Sequence, residues 1–212
     1  MTDKPLLFSG PMVRALLEGR KTQTRRILKI RGHKTFSFFG PSDTAGYDWH
    51  LRDSQRRWHD LRDAQLRQRL GYEPGDLIWV RETFNQSGFP WPNLAQGLGR
   101  LHYQADPDHG WQPYWGRWRP SIHMPRWASR LTLLVTDVRV QRLQDISEAD
   151  AVAEGCRGFV SADGEDGTSP REEFQDLWNS LNADRGYGWE ANPWVCALTF
   201  EVHQGNIEKV AA

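Results

Sequence analysis

The chain has 212 residues, a hydrophobic fraction of 38% and a formal net charge of +0. A neutral chain does not belong to the proteins whose whole surface attracts nucleic acid, because nonspecific nucleic-acid binding comes mainly from neutralised phosphates. No apolar run reaches the length of a membrane span and no signal-peptide core follows Met1, so we expect a soluble, cytoplasmic protein without membrane contact.

The first predicted helix leads into a basic segment. Pro11 suits the first turn of a helix and Gly19 suits the position after its end, so a helix of about two turns is predicted between them. Residues 19–26, GRKTQTRR, then follow in an extended conformation. Side chains alternate along an extended chain, so Lys21 and Thr24 are expected on opposite sides, unless a bend at Gly19 relaxes the alternation.

The middle of the chain alternates predicted loops with regular elements. Residues 32–47 are rich in Gly, Ser, Thr and Asp and are predicted to form a loop. The charged, proline-free range 53–70 is predicted to be a helix, with His59 on its surface. A turn at Glu73–Asp76 precedes a buried, central strand at 77–84.

Beyond that strand we predict a polar loop at 85–93, a second strand at 100–104 and an irregular, Trp-containing loop at 106–126. The alternating range 130–140 is predicted to be the longest strand. Ser147 then caps a helix that ends at Gly155, with Glu154 in its last turn.

The last predicted elements are a helix at 171–181, with Phe174, Leu177, Trp178 and Leu181 on one stripe, and a strand at 194–202. The tail after Gly205 is predicted to be frayed. Strands interrupted by helices at irregular intervals indicate a single α+β domain with a small, mostly antiparallel sheet or barrel.

Residue usage adds expectations about the core, the compartment and the charge. The 11 Trp predict that the core and any pocket depend on aromatic rings. Two cysteines, Cys156 and Cys196, without metal spacing indicate a reducing compartment.

Charge is unevenly distributed along the chain. Residues 14–34 carry eight Lys or Arg and one acid, whereas 145–173 carries nine acids and two Arg. These segments either face each other across a cleft or are two solvated surfaces.

Two motifs carry a family resemblance. Gly19-x-Lys21-x-x-x-x-Arg26, followed by Pro74-Gly75-Asp76 entering a strand, resembles the ASCH domain of the PUA-like superfamily, which implies a small, mostly antiparallel β-barrel with flanking helices. With Thr24 two residues before Arg26, the segment looks like the bacterial branch that hydrolyses N4-acetylcytidine to cytidine and acetate. Against that shorter branch, 1–212 would be one domain with inserted loops at about 32–70, 85–126 and 157–170. The full length resembles ASCH-type proteins of bacteria and their phages.

The resemblance implies catalytic roles for Lys21, Thr24 and Glu154, the last matched through Ser147-Glu148-x-x-Ala151-x-x-Glu154. In one scheme Lys21 acts as the base for a Thr24 nucleophile. In the other, Glu154 activates water while Lys21 and Thr24 stabilise the oxyanion. The alternative is a structural role, in which Lys21 and Glu154 form an ion pair and Thr24 hydrogen-bonds to the backbone.

Recognition of a nucleobase requires stacking and a polar contact to the base edge. By position, Arg26, Trp79, Glu82 and Trp127 are the candidates for binding substrate, although core packing is the commoner role of any single Trp. No cofactor is expected. His102 and His109 are isolated and no other His pair has ligand spacing, so we expect no metal.

Two other functions are compatible with the sequence. The chain could be an RNA-binding ASCH module, with ribonuclease activity as in some ASCH relatives, that holds a strand with residues 14–34 and the tryptophans. It could also be a phage-borne protein that binds a host component through the inserted loops. The sequence leaves the oligomeric state open.

Overall fold

The computed structural model describes residues 3–33, 35–87, 100–107, 117–160 and 167–210. The chain divides into two compact units. Unit 1 comprises 1–22, 75–135 and 200–212, and unit 2 comprises 23–74 and 136–199. The single domain and its insertion boundaries remain predictions.

Within the described residues the strands are β1 Asp3–Leu7, β2 Gln23–Ile27, β3 Phe36–Pro41, β4 Trp49–Asp53, β5 Trp58–Leu61, β6 Leu77–Arg81, β7 Phe84–Ser87, β8 Arg100–Tyr103, β9 Leu131–Arg142, β10 Phe159–Val160, β11 Gly167–Thr168 and β12 Trp194–Gln204. The helices are α1 Gly10–Leu17, α2 Asp63–Leu70, α3 Glu148–Ala153, α4 Pro170–Asn182 and α5 Ile207–Val210. The strand pairs are mostly antiparallel, which confirms the α+β class. Among these residues no sheet closes into a barrel, so the PUA-like barrel is not confirmed.

Unit 1 is organised around β6. This strand pairs in parallel with β1 and antiparallel with β9, so it is an interior strand, and it ends at Arg81 rather than at the predicted residue 84. Helix α1 begins with proline in its first turn and is followed by Gly19 at φ +70, as its sequence predicted. Strands β7 and β8 form a hairpin, so the predicted loop at 85–93 is wrong for residues 85–87, while 88–93 lie outside the described residues.

The C-terminal tail is ordered by packing, which corrects its predicted fraying. Ile207 in α5 is fully buried and packs with Leu77 and Trp79 of β6. The Nδ2 atom of Asn206 lies 2.9 Å from the carbonyl oxygens of Arg126 and Ser129. The buried Ile207 side chain and the Asn206 amide therefore fix a segment that was expected to be frayed because it lies at the end of the chain.

In unit 2, β2 pairs antiparallel with the first half of β12, in a register that places Thr24 opposite Leu198 and Arg26 opposite Cys196. Helices α3 and α4 pack beside a cluster that contains Leu143, Phe174, Trp178 and other buried residues. The predicted stripe of α4 is correct for Phe174 and Trp178, whereas Leu181 is exposed.

A three-stranded antiparallel sheet, in the order β3-β4-β5, contradicts two predictions. Residues 36–41 of the predicted loop form β3, and only the second half of the predicted helix at 53–70 is helical. Asp53 closes the β4–β5 turn because its Oδ1 accepts from the backbone nitrogens of Gln55 at 2.8 Å and Arg57 at 2.9 Å. A side chain that satisfies turn backbone in this way favours a hairpin over a helix.

The other long elements agree with the sequence. Strand β9 is the longest strand of the described residues, and the range 117–126 is irregular apart from a short 3-10 turn. Trp111 and Trp115 of the predicted aromatic loop lie outside the described residues. Across the described part of the chain, no helix is both long and apolar enough to span a membrane.

We predict that Ile207→Ala lowers the free energy of unfolding by about 2–5 kcal/mol, because it removes a fully buried side chain and leaves a cavity. Chemical denaturation measures the loss. Glu208→Ala is the control, since it removes only an exposed ion pair with Arg126 and should cost less than about 1 kcal/mol. An equally small effect of both substitutions would contradict the packed tail.

Candidate functional site

A buried arginine forms the centre of the site in unit 2. The side chain of Arg25 has no solvent exposure. Its Nη2 donates to Asp150 Oδ2 at 2.8 Å, and its Nη1 donates to Glu154 Oε1 at 3.1 Å and to Gln23 Oε1 at 3.2 Å. The guanidinium also lies 5.8 Å from the ring centre of Phe174. Because guanidinium groups can only donate, both carboxylates present acceptor oxygens to Arg25.

Helix α3 places the two acids. The hydroxyl of Ser147 accepts from the backbone nitrogen of Asp150 at 3.1 Å, which confirms the predicted cap. The helix ends at Ala153, Glu154 is its C-terminal cap residue, and Gly155 follows at φ +101. Asp150 and Glu154 are four residues apart and so lie on one face of the helix, where a single guanidinium reaches both.

The pKa of Asp150 is lowered by the charges around it. Burial acts to raise this pKa, but the hydrogen bond from Arg139 and the positive charge of Arg25 outweigh it. A carboxyl whose pKa is depressed by folding contributes stability at neutral pH, and this contribution is lost as the pH falls from the ordinary Asp pKa through the lower pKa of the folded state.

Thr24 lies in β2 beside Arg25 and is 1% exposed. Its hydroxyl oxygen is buried and has no hydrogen-bond partner among the residues that the structure describes. An unsatisfied buried hydroxyl costs about 1–3 kcal/mol, so most folded proteins avoid one. A substrate atom could supply the missing partner.

Lys21 belongs to unit 1, where it follows α1. Its backbone nitrogen donates to the carbonyl oxygen of Ala15 at 3.0 Å, and its side chain has no solvent exposure. A lysine is almost never fully buried unless its ammonium interacts with other groups. Full burial distinguishes Lys21 from a basic residue that is merely solvated at a helix end.

The remaining predicted residue of unit 2 is Arg26. Its Nη1 donates to the carbonyl oxygen of Arg25 at 3.2 Å. Burial lowers the pKa of Arg26, and the negative charge of Glu154 acts in the opposite direction. Arg26 therefore belongs to the same group of charged residues as Arg25 and Glu154.

The other three predicted substrate-binding residues lie in unit 1. Glu82 is 1% exposed and accepts from Arg130 at 2.8 and 3.0 Å. Burial raises its pKa, although the hydrogen bonds from Arg130 counteract the rise. Trp79 is buried against Ile207, and the partly buried Trp127 packs on a cluster of Phe84, Met124 and Ala128, so both indoles serve the core.

A separate cluster of His33, Asp53 and His59 in unit 2 was missed by the sequence analysis. One ligand atom of each residue lies within 4.8 Å of those of the other two. The predicted helix placed His59 on a charged surface, whereas it lies in β5, and its Nε2 is 2.9 Å from Asp53 Oδ2. Recognition of the hairpin would have required reading 53–57 as a turn. His109, considered above, lies outside the described residues.

One face of the β3-β4-β5 sheet exposes aromatic rings. Phe38 is 46% exposed and Trp58 is 55% exposed, and their ring centres are 5.7 Å apart in an edge-on arrangement. His50 lies 5.2 Å from Phe38 and 5.0 Å from Trp58, and the guanidinium of Arg52 lies 5.6 Å from the Trp58 ring. We call these four residues the aromatic patch.

Comparison with known proteins adds no relative. No protein-family model, curated protein or solved structure matches the chain.

We predict that Arg25→Ala lowers the free energy of unfolding by about 3–5 kcal/mol, because it leaves two carboxylates of α3 without their buried cation. The matched control is Arg67→Ala, which breaks an exposed ion pair with Asp63 and should cost about 0–1 kcal/mol. Thermal or chemical unfolding measures both. Equal effects would show that burial of the Arg25 network does not matter for stability.

Proposed function

We propose that the protein is an amidohydrolase that removes the acyl group from N4-acetylcytidine or related N4-acylated cytosine nucleosides. The observation that carries this proposal is the buried hydroxyl of Thr24, which lacks a hydrogen-bond partner in the described part of the chain. A donor held ready in a buried position is suited to the oxyanion that forms during amide hydrolysis.

The burial of Lys21 supports the proposal. Buried lysines are costly and are characteristic of sites where charge takes part in binding or chemistry. Lys21 precedes Thr24 by three residues, so chain connectivity alone limits the distance between their Cα atoms to about 11 Å. The motif that contains both residues is also the one that resembles the acetylcytidine-hydrolysing branch.

Of the two schemes, activation of water by Glu154 fits the geometry better. A Thr24 nucleophile needs a base hydrogen-bonded to its hydroxyl, and the described residues offer none. Glu154 accepts a hydrogen bond from Arg25, so its carboxylate already acts as an acceptor. A general base must likewise accept a proton from the attacking water.

The proposed reaction begins when water adds to the acetyl carbonyl and gives a proton to Glu154. Thr24 and Lys21 stabilise the oxyanion. The carbon–nitrogen bond then breaks as Glu154 returns the proton to the leaving amine, which yields cytidine and acetic acid, and the acid ionises to acetate in solution.

Glu82 is the best candidate for contact with the base edge. A carboxylate offers about four acceptor positions, and the two hydrogen bonds from Arg130 leave acceptor capacity on Glu82. Arg26 would contribute positive charge near the nucleoside. Trp79 and Trp127 are weaker candidates because both pack in the core of unit 1.

We predict that the purified protein converts N4-acetylcytidine to cytidine, followed by the ultraviolet change of the cytosine chromophore. Lys21→Met, which keeps most of the apolar stem, and Glu154→Gln, which keeps the shape of the acid, should each lower kcat by at least about 10²-fold. Thr24→Val should lower kcat by about 10²–10³-fold without accumulation of an acetylated enzyme.

Lys29→Ala is the matched control, because Lys29 lies in the same Lys- and Arg-rich range, 14–34, and is exposed. Full turnover by folded Lys21→Met would contradict the assigned mechanism, and acetylation of Thr24 in rapidly quenched wild-type reactions would favour the nucleophile scheme. Absence of turnover by the wild-type protein would contradict the proposed reaction.

The aromatic patch favours a second candidate function, the binding of single-stranded RNA. Exposed rings beside an arginine are the usual surface for base stacking. The basic segment is less suitable than the sequence suggested, since Arg25 is buried and Arg20 pairs with Glu18 at 2.6 Å.

For this second function we predict that Trp58→Ala weakens single-stranded RNA binding by about 1–3 kcal/mol, because stacking of a base on the indole is lost. Fluorescence anisotropy at several salt concentrations measures the affinity and its salt dependence. Phe159→Ala, which removes another exposed ring of unit 2, should have no effect. Affinity that does not respond to salt or to Trp58→Ala would exclude the aromatic patch as an RNA-binding surface.

A further inference from the structure

The His33–Asp53–His59 cluster combines three elements of unit 2. His33 closes a tight turn after β2, with its backbone nitrogen donating to the carbonyl oxygen of Ile30 at 3.0 Å. Asp53 ends β4 and His59 lies in the paired strand β5. The rings of His33 and His59 are 4.6 Å apart between centres. Two imidazoles and one carboxylate thus meet where a turn approaches a hairpin.

The hydrogen bonds of the cluster define where its lone pairs point. Arg69 can only donate, so its Nη1, 2.8 Å from His33 Nε2, shows that this nitrogen is an acceptor. Arg57 Nε likewise donates to Asp53 Oδ2 at 2.9 Å. Two positively charged groups therefore occupy positions that a metal cation would take beside these ligand atoms.

From this geometry we propose that His33, Asp53 and His59 form a binding site for a divalent first-row transition metal, with Zn²⁺ as its probe. Two nitrogens and one oxygen are a ligand set that such metals accept, and the remaining coordination position would hold water. The side chain of His59 is 30% exposed, which gives the metal access from solvent.

The ligand atoms themselves need to move only a short distance. Bonds of about 2.0–2.1 Å in tetrahedral geometry place ligand atoms about 3.4 Å apart, compared with separations of at most 4.8 Å in the cluster. His59 must present a lone pair instead of the N–H that it now donates to Asp53, which requires the other tautomer of the ring. The backbone nitrogens that donate to Asp53 Oδ1 keep their hydrogen bonds. They would hold the carboxylate in position while Oδ2 binds the metal.

Both arginines must release their ligand atoms before a metal binds, Arg69 from His33 Nε2 and Arg57 from Asp53 Oδ2. The side chain of Arg57 is 65% exposed, and exposed ion pairs are weak, so it can leave Asp53 Oδ2 easily. Its positive charge nevertheless repels a dication. Removal of this arginine should therefore tighten metal binding, whereas removal of a ligand should weaken it.

The test is titration of the metal-free protein with Zn²⁺ by calorimetry, together with the visible absorption of added Co²⁺. We expect one equivalent to bind and to raise Tm. His33→Ala, His59→Gln and Asp53→Asn should each weaken Zn²⁺ binding by more than about tenfold, since even changes in the supporting shell cost about 10–100-fold. Arg57→Ala should bind Zn²⁺ several-fold more tightly.

Asp53→Asn retains an oxygen for the two backbone bonds of the turn, so it separates ligand loss from misfolding. His123→Ala, which changes an exposed histidine of unit 1, is the matched control and should bind Zn²⁺ like the wild type. Unchanged Zn²⁺ affinity in folded Asp53→Asn and His59→Gln, or an equal loss in His123→Ala, would overturn the proposed site. So would the absence of any Zn²⁺-induced rise in Tm.

Discussion

The buried guanidinium of Arg25 is the constraint on which the candidate site of unit 2 depends. Arg25 donates to both Asp150 and Glu154 of α3 and so joins that helix to β2, while Arg139 also donates to Asp150. A buried ion-pair group tolerates little rearrangement, because loss of one member leaves charge without compensation in a medium of low dielectric constant. The orientation of Glu154 is therefore fixed by the fold before any substrate arrives.

The proposed catalytic role would account for the presence of several costly buried polar residues in one short segment. The segment 19–26 contains a fully buried lysine, a buried threonine hydroxyl without a partner in the described residues, and a fully buried arginine. A segment selected for stability alone would place apolar side chains at these positions. Of these groups, the Thr24 hydroxyl is the one that the proposed reaction would complete with a substrate oxygen.

Local signals in the sequence were sufficient to predict the helices and strands whose ends are marked by capping or turn residues or whose hydrophobic pattern is long. Pro11 and Gly19 bounded α1, alternation identified β9, and the Ser147 cap placed Glu154 at the end of α3. These features depend on interactions within a few residues or on a long periodic pattern.

The β4–β5 hairpin could not be recognised in the same way. Its charged, proline-free sequence satisfies helical preferences, and the deciding interactions are the turn bonds to Asp53 and the pairing with β3. His33 and His59 lie in separate elements that only the tertiary fold brings together, so no spacing rule could reveal their proximity. The same limit applies to Arg25, whose two acids lie more than a hundred residues away in the chain.

The register of β2 against β12 has a practical consequence. Cys196 lies opposite Arg26, and burial raises the pKa of its thiol to about 12. Since the thiolate is the reactive form, this cysteine resists alkylation while the two strands remain paired. The chain therefore contains an internal probe of local opening: the rate at which Cys196 is labelled reports how often the strand that carries Thr24 and Arg25 separates from its neighbour.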